Sequence, residues 1–251
     1  MKKFLLLLLS FSLLLSAAEA RKRKVQTKVE NKAKPAVTTK TSEGLFSVTK
    51  SGANWFFEIP DSLIGRRFLV TVRYASTPAS TGKYGGEMTN EQTVYWEQAP
   101  DNKLLLRAEL LVNTADSTDA INRAIVISNE DPIIGAFNIE SQQGKKYKIN
   151  VTQFFNDDNP ALGVSRWDKQ SFGLNSLLPS QSFIKDIKTF PMNTEVRTVK
   201  TWMSTSMKNH AAAFTGKITM GLNISFILLP KVPMQRRFFD PRVGYFADSF
   251  S

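Results

Sequence analysis

Two counts limit the chemistry this chain can perform: its 251 residues contain one histidine, His210, and no cysteine. Without thiols there is no cysteine nucleophile, no disulfide framework, no Cys-ligated zinc and no iron–sulfur site. A zinc centre of two or three imidazoles is also out of reach. A Ser-His-Asp triad would have to use His210, which lies in Met207-Lys208-Asn209-His210-Ala211-Ala212-Ala213 with no acid pair beside it. The expected role is an exposed loop histidine. The patterns G-x-S-x-G and H-E-x-x-H are missing from the sequence. Gly82-Lys83-Tyr84-Gly85-Gly86 has the glycines of a phosphate loop, but neither Ser nor Thr follows the lysine, so it reads as a flexible loop. Asn156-Asp157-Asp158-Asn159 offers oxygen ligands to calcium. It lacks the glycine and distal glutamate of an EF-hand loop, and a turn whose side chains fold back on their own backbone is the better reading. Among 22 acids, a pair spaced for glycoside hydrolysis is neither found nor excluded.

The aromatic residues point to packing. Tyr95 and Trp96 are adjacent on an expected strand, so one faces the core and the other does not. Trp55, Trp167 and Trp202 are far apart and read as core side chains rather than a sugar platform.

The elements that would position these residues are mostly strands. Residues 45–48 and 55–59 flank Lys50-Ser51-Gly52-Ala53-Asn54, a hairpin pattern. Asp61 to Gly65 reads as one helical turn, and 67–75 as a half-buried strand. A Thr/Ser/Gly-rich loop is expected over 76–91. Strands follow at 93–98 and 103–112 around Ala99-Pro100-Asp101-Asn102. Residues 116–128 suggest a helix capped by Asp116 or Ser117, with Ala120, Ile121, Ala124 and Ile125 on one face. A strand pair is expected at 133–140 and 146–151, then a turn or short helix over 152–155. Residues 180–190 suggest a second helix with Phe183, Ile184 and Ile187 inward, and 194–205 and 216–229 are long strands. The fold class is mostly β (α+β), an antiparallel curved sheet or β-sandwich-like body with a few short helices.

Charge and hydropathy divide the rest of the chain, whose net charge is +11. Lys2-Lys3, the apolar run 4–15 and the small residues Ala18 and Ala20 make 1–20 a signal peptide, too short to span a bilayer. The mature protein is expected to be periplasmic or secreted, with no lipoprotein cysteine. Residues 21–43 form a basic linker, expected to be disordered, with eight lysines and arginines over 21–44 against Glu30 and Glu43. Its residues 21–40 suit anionic cell-surface material, or serve as a plain solvated spacer. Nucleic acid is not an expected partner, because the folded part lacks a clustered basic–aromatic stripe. A small β-hairpin domain over 44–80 and a larger β-rich domain over 81–251 complete the expected division.

The closing segment is the most informative. Leu228 to Phe246 combines three prolines, three arginines and four aromatic residues, a stiff extended run suited to packing on another surface. Pro230, Pro233, Met234, Arg237, Asp240, Pro241, Arg242, Gly244, Tyr245 and Phe246 are the candidate domain-docking residues. The run resembles the L-P-x-x-P-M-x-x-R-x-x-D-P-R-V-G-Y-F signature that precedes the catalytic domain of secreted bacterial zinc-dependent metallopeptidases. Upstream, Gly44-Leu45-Phe46 and Phe57-Glu58-Ile59-Pro60-Asp61-Ser62-Leu63-Ile64-Gly65-Arg66 resemble that family's small first domain. Pro100-Asp101-Asn102-Lys103, Ala136-Phe137-Asn138-Ile139, Val151-Thr152-Gln153-Phe154-Phe155-Asn156 and Phe190-Pro191 resemble its second. Both are domains of unknown function.

The resemblance covers roughly residues 44–250 and implies a non-catalytic front region. Zinc, its H-E-x-x-H ligands and the glutamate base would belong only to a following metallopeptidase domain in cis. The sequence given stops at Ser251, so truncation before that domain is the expectation, and no residue is assigned as ligand or base. The alternative is a free-standing β-rich binding module for polysaccharide or protein.

Overall fold

A computed structural model describes residues 39–110, 115–235, 240 and 242. The expected signal peptide at 1–20 and the basic segment up to 38 lie outside the described residues.

Alternation of apolar side chains sets the strands. Along Arg67–Ser76 (β4), Phe68, Val70, Val72 and Tyr74 occupy every second position and are at most 1% exposed. Lys217–Leu228 (β12) repeats the pattern with Ile218, Met220, Leu222, Ile224 and Phe226. The other strands are Thr39–Ser42 (β1), Ser47–Ser51 (β2), Asn54–Pro60 (β3), Met88–Ala99 (β5), Lys103–Ala108 (β6), Ile133–Gln143 (β7), Lys146–Asn150 (β8), Leu174–Leu177 (β9), Phe183–Thr189 (β10) and Asn193–Ser204 (β11). They form one antiparallel sheet in the order β1-β2-β3-β8-β7-β6-β5-β4-β12-β11-β10, with β9 added on β11. Among the described residues four short α-helices decorate it: Asn122–Ser128 (α1), Thr152–Asn156 (α2), Arg166–Ser171 (α3) and His210–Thr215 (α4). No described helix is long and apolar enough to cross a membrane.

The sheet curls until strands far apart in its order share one core. Phe46, just before β2, lies 5.2 Å from Phe57 of β3, 5.5 Å from Phe68 of β4 and 5.9 Å from Phe226 of β12, centroid to centroid. Trp96 of β5 closes the cluster edge-on at 6.3 Å. The two ends of the sheet nearly meet: Leu45 N donates to Phe190 O at 2.7 Å, and Thr189 Oγ1 donates to Phe46 O at 2.9 Å. Gly44 makes this seam possible. A Cβ there would stand 2.4 Å from Thr189 Oγ1 and 2.9 Å from the Phe190 backbone nitrogen. Gly44→Ala is therefore expected to force the seam open and cost about 1–3 kcal/mol, read as a lower urea midpoint at unchanged slope.

The segments 44–80 and 81–251 contribute to a single sheet rather than to two bodies. Within β4, Phe68 pairs with Leu228 of β12 on one side and with Val94 of β5 on the other. Several local expectations need correction. The tail of the basic linker is ordered, because Thr39–Ser42 pairs with Ser51–Val48 as β1. The expected helix over 180–190 is instead strand β10. The register slips between Ile184 and Asp186, so Ile184 and Ile187, three residues apart, both reach the core and mimic helical spacing. The helix expected from 116 starts only at Asn122 and buries none of its residues. Asp116 Oδ1 accepts from the Thr118 amide and hydroxyl, closing a turn instead of capping the helix. The loop expected over 76–91 gives way to β5 at Met88, and the strand expected over 103–112 ends as β6 at Ala108.

Candidate functional site

Strand β7 changes partner midway. Its first half, Ile133 to Asn138, pairs with β6, and from Ile139 onward it pairs with β8, with a register shift around Glu140. The chain leaving β8 enters α2 instead of following β7 backwards, and a cleft of about 740 Å³ opens between them. Ala136, Phe137, Asn138 and Glu140 form one wall; Asn150, Thr152, Gln153, Phe154, Asn156 and Asp157 form the other. The stretches Ala136-Phe137-Asn138 and Thr152-Gln153-Phe154, far apart in sequence, thus meet at one place.

The local chemistry fixes these walls. Asn150 Oδ1 closes the turn into α2 by accepting from the Thr152 amide at 3.0 Å, and the Thr152 hydroxyl accepts from Trp55 N at 2.7 Å, tying α2 to β3. Phe154 packs edge-on against Phe137 at 5.1 Å. Gly135 leaves the space for that contact, since a Cβ there would stand 2.8 Å from Phe154 and 2.9 Å from Phe137. Asn156 Oδ1 is buried with no hydrogen-bond partner among the described residues. The remaining lining is amides and carboxylates around a half-buried phenyl ring: Asn54, Asn138 and Gln153 with Glu140 and Asp157. Such a surface gives donors and acceptors to a polyhydroxyl or amide-bearing ligand.

Below the cleft lies a charged group that sequence reasoning missed. Lys200 on β11 is 2% exposed, and its ammonium donates to the Asp157 carbonyl. Burial pushes its pKa down to about 8, against the attraction of the Asp158 and Asp157 carboxylates. Asp158 itself accepts from Lys169 Nζ at 2.7 Å and from Trp202 Nε1 at 3.1 Å. Asn159 folds back as expected, its Oδ1 accepting from the amides of Ala161 and Leu162. The period-two alternation of β11 puts Lys200 on the same face as Val196 and Trp202, a signal for an interior position that its residue type hides.

The glycine-rich segment at 82–86 is held, not free. Lys83 Nζ reaches Glu87 at 2.6 Å and Asp168 of α3 at 3.2 Å. Asp168 also accepts from Thr89 Oγ1 at 2.6 Å and from the Tyr74 hydroxyl at 2.7 Å. Burial would raise the Asp168 pKa, but these donors hold it below the ordinary carboxylate range. Burial, with help from Asp168, pushes the Tyr74 hydroxyl strongly up.

His210 is exposed, but it opens helix α4 rather than lying in a loop, with Asn209 as the cap. Its Nδ1 is 3.2 Å from Ser80 Oγ. Among the described residues no carboxylate hydrogen-bonds the ring, so this is a surface contact without the orienting third group of a triad. Trp96 is 1% exposed and Tyr95 half-buried, as the alternation requires. Trp55 and Trp202 are core, whereas Trp167 is 80% exposed.

The proposed docking segment begins where pairing stops. Leu229 is still tied to β4 by its amide to Arg67 O at 3.0 Å and by Arg66 Nη2 to its carbonyl at 2.7 Å. Beyond it Pro230, Lys231, Val232, Pro233 and Met234 are exposed, Val232 and Met234 by more than four-fifths. Asp240 and Arg242 pair with each other at 2.6 Å. Arg237, Pro241, Gly244, Tyr245 and Phe246 lie outside the described residues. Among the described residues no group of three or more His, Asp or Glu is placed to share a metal ion. With one histidine and no cysteine, the chain does not fit the zinc centre that the resemblance implies.

These features define an antiparallel β protein with an amide-lined cleft and an exposed apolar strap after its last strand. The chain belongs to the family described as domain of unknown function DUF5117, whose model matches residues 86–251. Residues 32–77 match a second model, domain of unknown function DUF5118. No curated protein and no solved structure matches the chain.

Proposed function

We propose that this chain is the non-catalytic front region of an exported zinc metallopeptidase-like protein, and that the segment from Pro230 onward docks a following peptidase domain in cis. The observation that carries this reading is the exposed Val232 and Met234 on a proline-stiffened strap directly after the last strand. Apolar side chains this exposed are covered when a neighbouring surface is supplied. The DUF5117 match runs through the same segment, to residue 251. Zinc and the general base would come from the following domain.

The free-standing binding module is the second reading, favoured by the cleft between β7 and α2. Reading the gene beyond codon 251 separates the two: an H-E-x-x-H frame supports docking, and an intergenic gap supports the module. The purified chain is expected to contain no stoichiometric zinc and to show no chelator-sensitive peptide cleavage. Such cleavage would overturn both readings.

A further inference from the structure

The seam between the two ends of the sheet holds a second cavity, about 400 Å³, lined by Lys40 and Ser42 of β1, Lys50 of β2, Trp55 of β3, and Asp186 and Lys188 of β10 among others. The placement of the charges is unusual. Lys40 and Lys50 are directly opposed Cα partners in the β1–β2 ladder, so their side chains leave the same face, and like charges so placed repel. Trp55 is the partner of Lys50 on the next strand, and the Lys50 ammonium lies 4.9 Å from its ring centroid. Lys188 enters from the facing strand, with Asp186 at 4.0 Å as its ion-pair partner. Among the described residues neither Lys40 nor Lys50 has a carboxylate within ion-pair distance. Three ammonium groups and one carboxylate therefore surround a cavity walled by a buried indole.

We infer that this seam is a binding site for a small oxyanion group, a phosphate, sulfate or carboxylate, held between Lys40, Lys50 and Lys188 above Trp55. An anion there would bridge the opposed lysines and turn their repulsion into attraction. It would also clip β1 and β2 to β10 across the seam that Thr189 and Phe190 begin. The site is separate from the strap and does not depend on whether a peptidase domain follows.

The test uses the mature chain with inorganic phosphate, sulfate and galacturonate as separate probes. Binding is read by calorimetry and by the Trp55 indole resonance. At least one probe should bind and shift that resonance, and which one does assigns the source as phosphate, sulfated or uronate material. The variant K40Q/K50Q/K188Q should lose about tenfold or more in affinity. A control, R21Q/K22Q/R23Q, removes the same charge from the basic segment and should change affinity by less than about twofold if local geometry decides. Without ligand at low salt, K40Q alone should raise the melting temperature, because it relieves a like-charge pair. Failure of all three probes to bind, or equal loss in the seam variant and the control, would overturn the proposal. So would a lower melting temperature for K40Q, which would mark the lysines as structural.

Discussion

Residues 86–251 expressed alone, the span of the DUF5117 match, will not fold to a native state. That piece lacks β1 to β4, and β4 is an interior strand clasped by β5 and β12. Its removal opens two ladder edges at once and uncovers the face that Phe46, Val48, Phe57, Ile59, Phe68, Val70, Val72 and Tyr74 fill. At about 1.5–3 kcal/mol for each buried apolar side chain, the loss exceeds the about 5–15 kcal/mol that separates a typical native state from its unfolded chain. The Asp168 carboxylate would also lose the Tyr74 hydroxyl. Near-ultraviolet circular dichroism should show no fixed aromatic environment in the fragment. Co-expression of residues 32–85 as a separate chain should restore it. A cooperative thermal transition in 86–251 alone would refute the interdependence of the two segments.

The second large effect concerns Lys200. Asp158→Ala should destabilise the protein by about 3 kcal/mol, because it strips the buried ammonium of its largest compensating charge and leaves Trp202 Nε1 without an acceptor. Lys200→Met should be within about 1 kcal/mol of the parent or more stable, since a buried charge is replaced by an apolar chain of similar length. On the K200M background, Asp158→Ala should cost much less, and the double-mutant cycle measures that difference.

The pH dependence has a definite sign. Below about pH 8 the lysine is charged in both states and its burial cost is fully present. Between pH 8 and 10 the native state has released the proton while the unfolded chain, with a pKa near 10.5, still holds it. Stability therefore rises with pH, by about 2 kcal/mol between pH 7 and 10. Above pH 10 the trend reverses, because unfolded tyrosines ionise while burial keeps Tyr74 protonated. Urea denaturation between pH 7 and about 10 should show the rise in the parent and a flat profile in K200M. A rise that survives in K200M would assign it to another group.

The strands legible in the sequence were those with strict alternation over a long run. Phe68, Val70, Val72 and Tyr74 define β4 unaided, and the Asp101-Asn102 corner carries the positive φ angles that its residue types favour. Failures came where one residue breaks the period. The bulge in β10 gave Ile184 and Ile187 a helical spacing, and the charge of β1 hid a strand made by pairing rather than by propensity. The cleft was half visible. Ala136-Phe137-Asn138 and Thr152-Gln153-Phe154 drew notice as separate segments, but only the change of partner in β7 brings them together. The contact of Asp168 with Lys83 carried no local signal, since it joins the 82–86 loop to helix α3, far away in sequence.

The pairing of Phe68 with Leu228 and of Ser76 with Gly221 also governs the order of events on the ribosome. When β4 emerges, its partner β12 has yet to be translated, and every strand from β5 to β11 must appear before that edge is satisfied. Nascent chains will linger as open, sticky intermediates that need a holding chaperone. If the protein is exported as proposed above, this delay would keep these strands pliable for threading through a translocation pore.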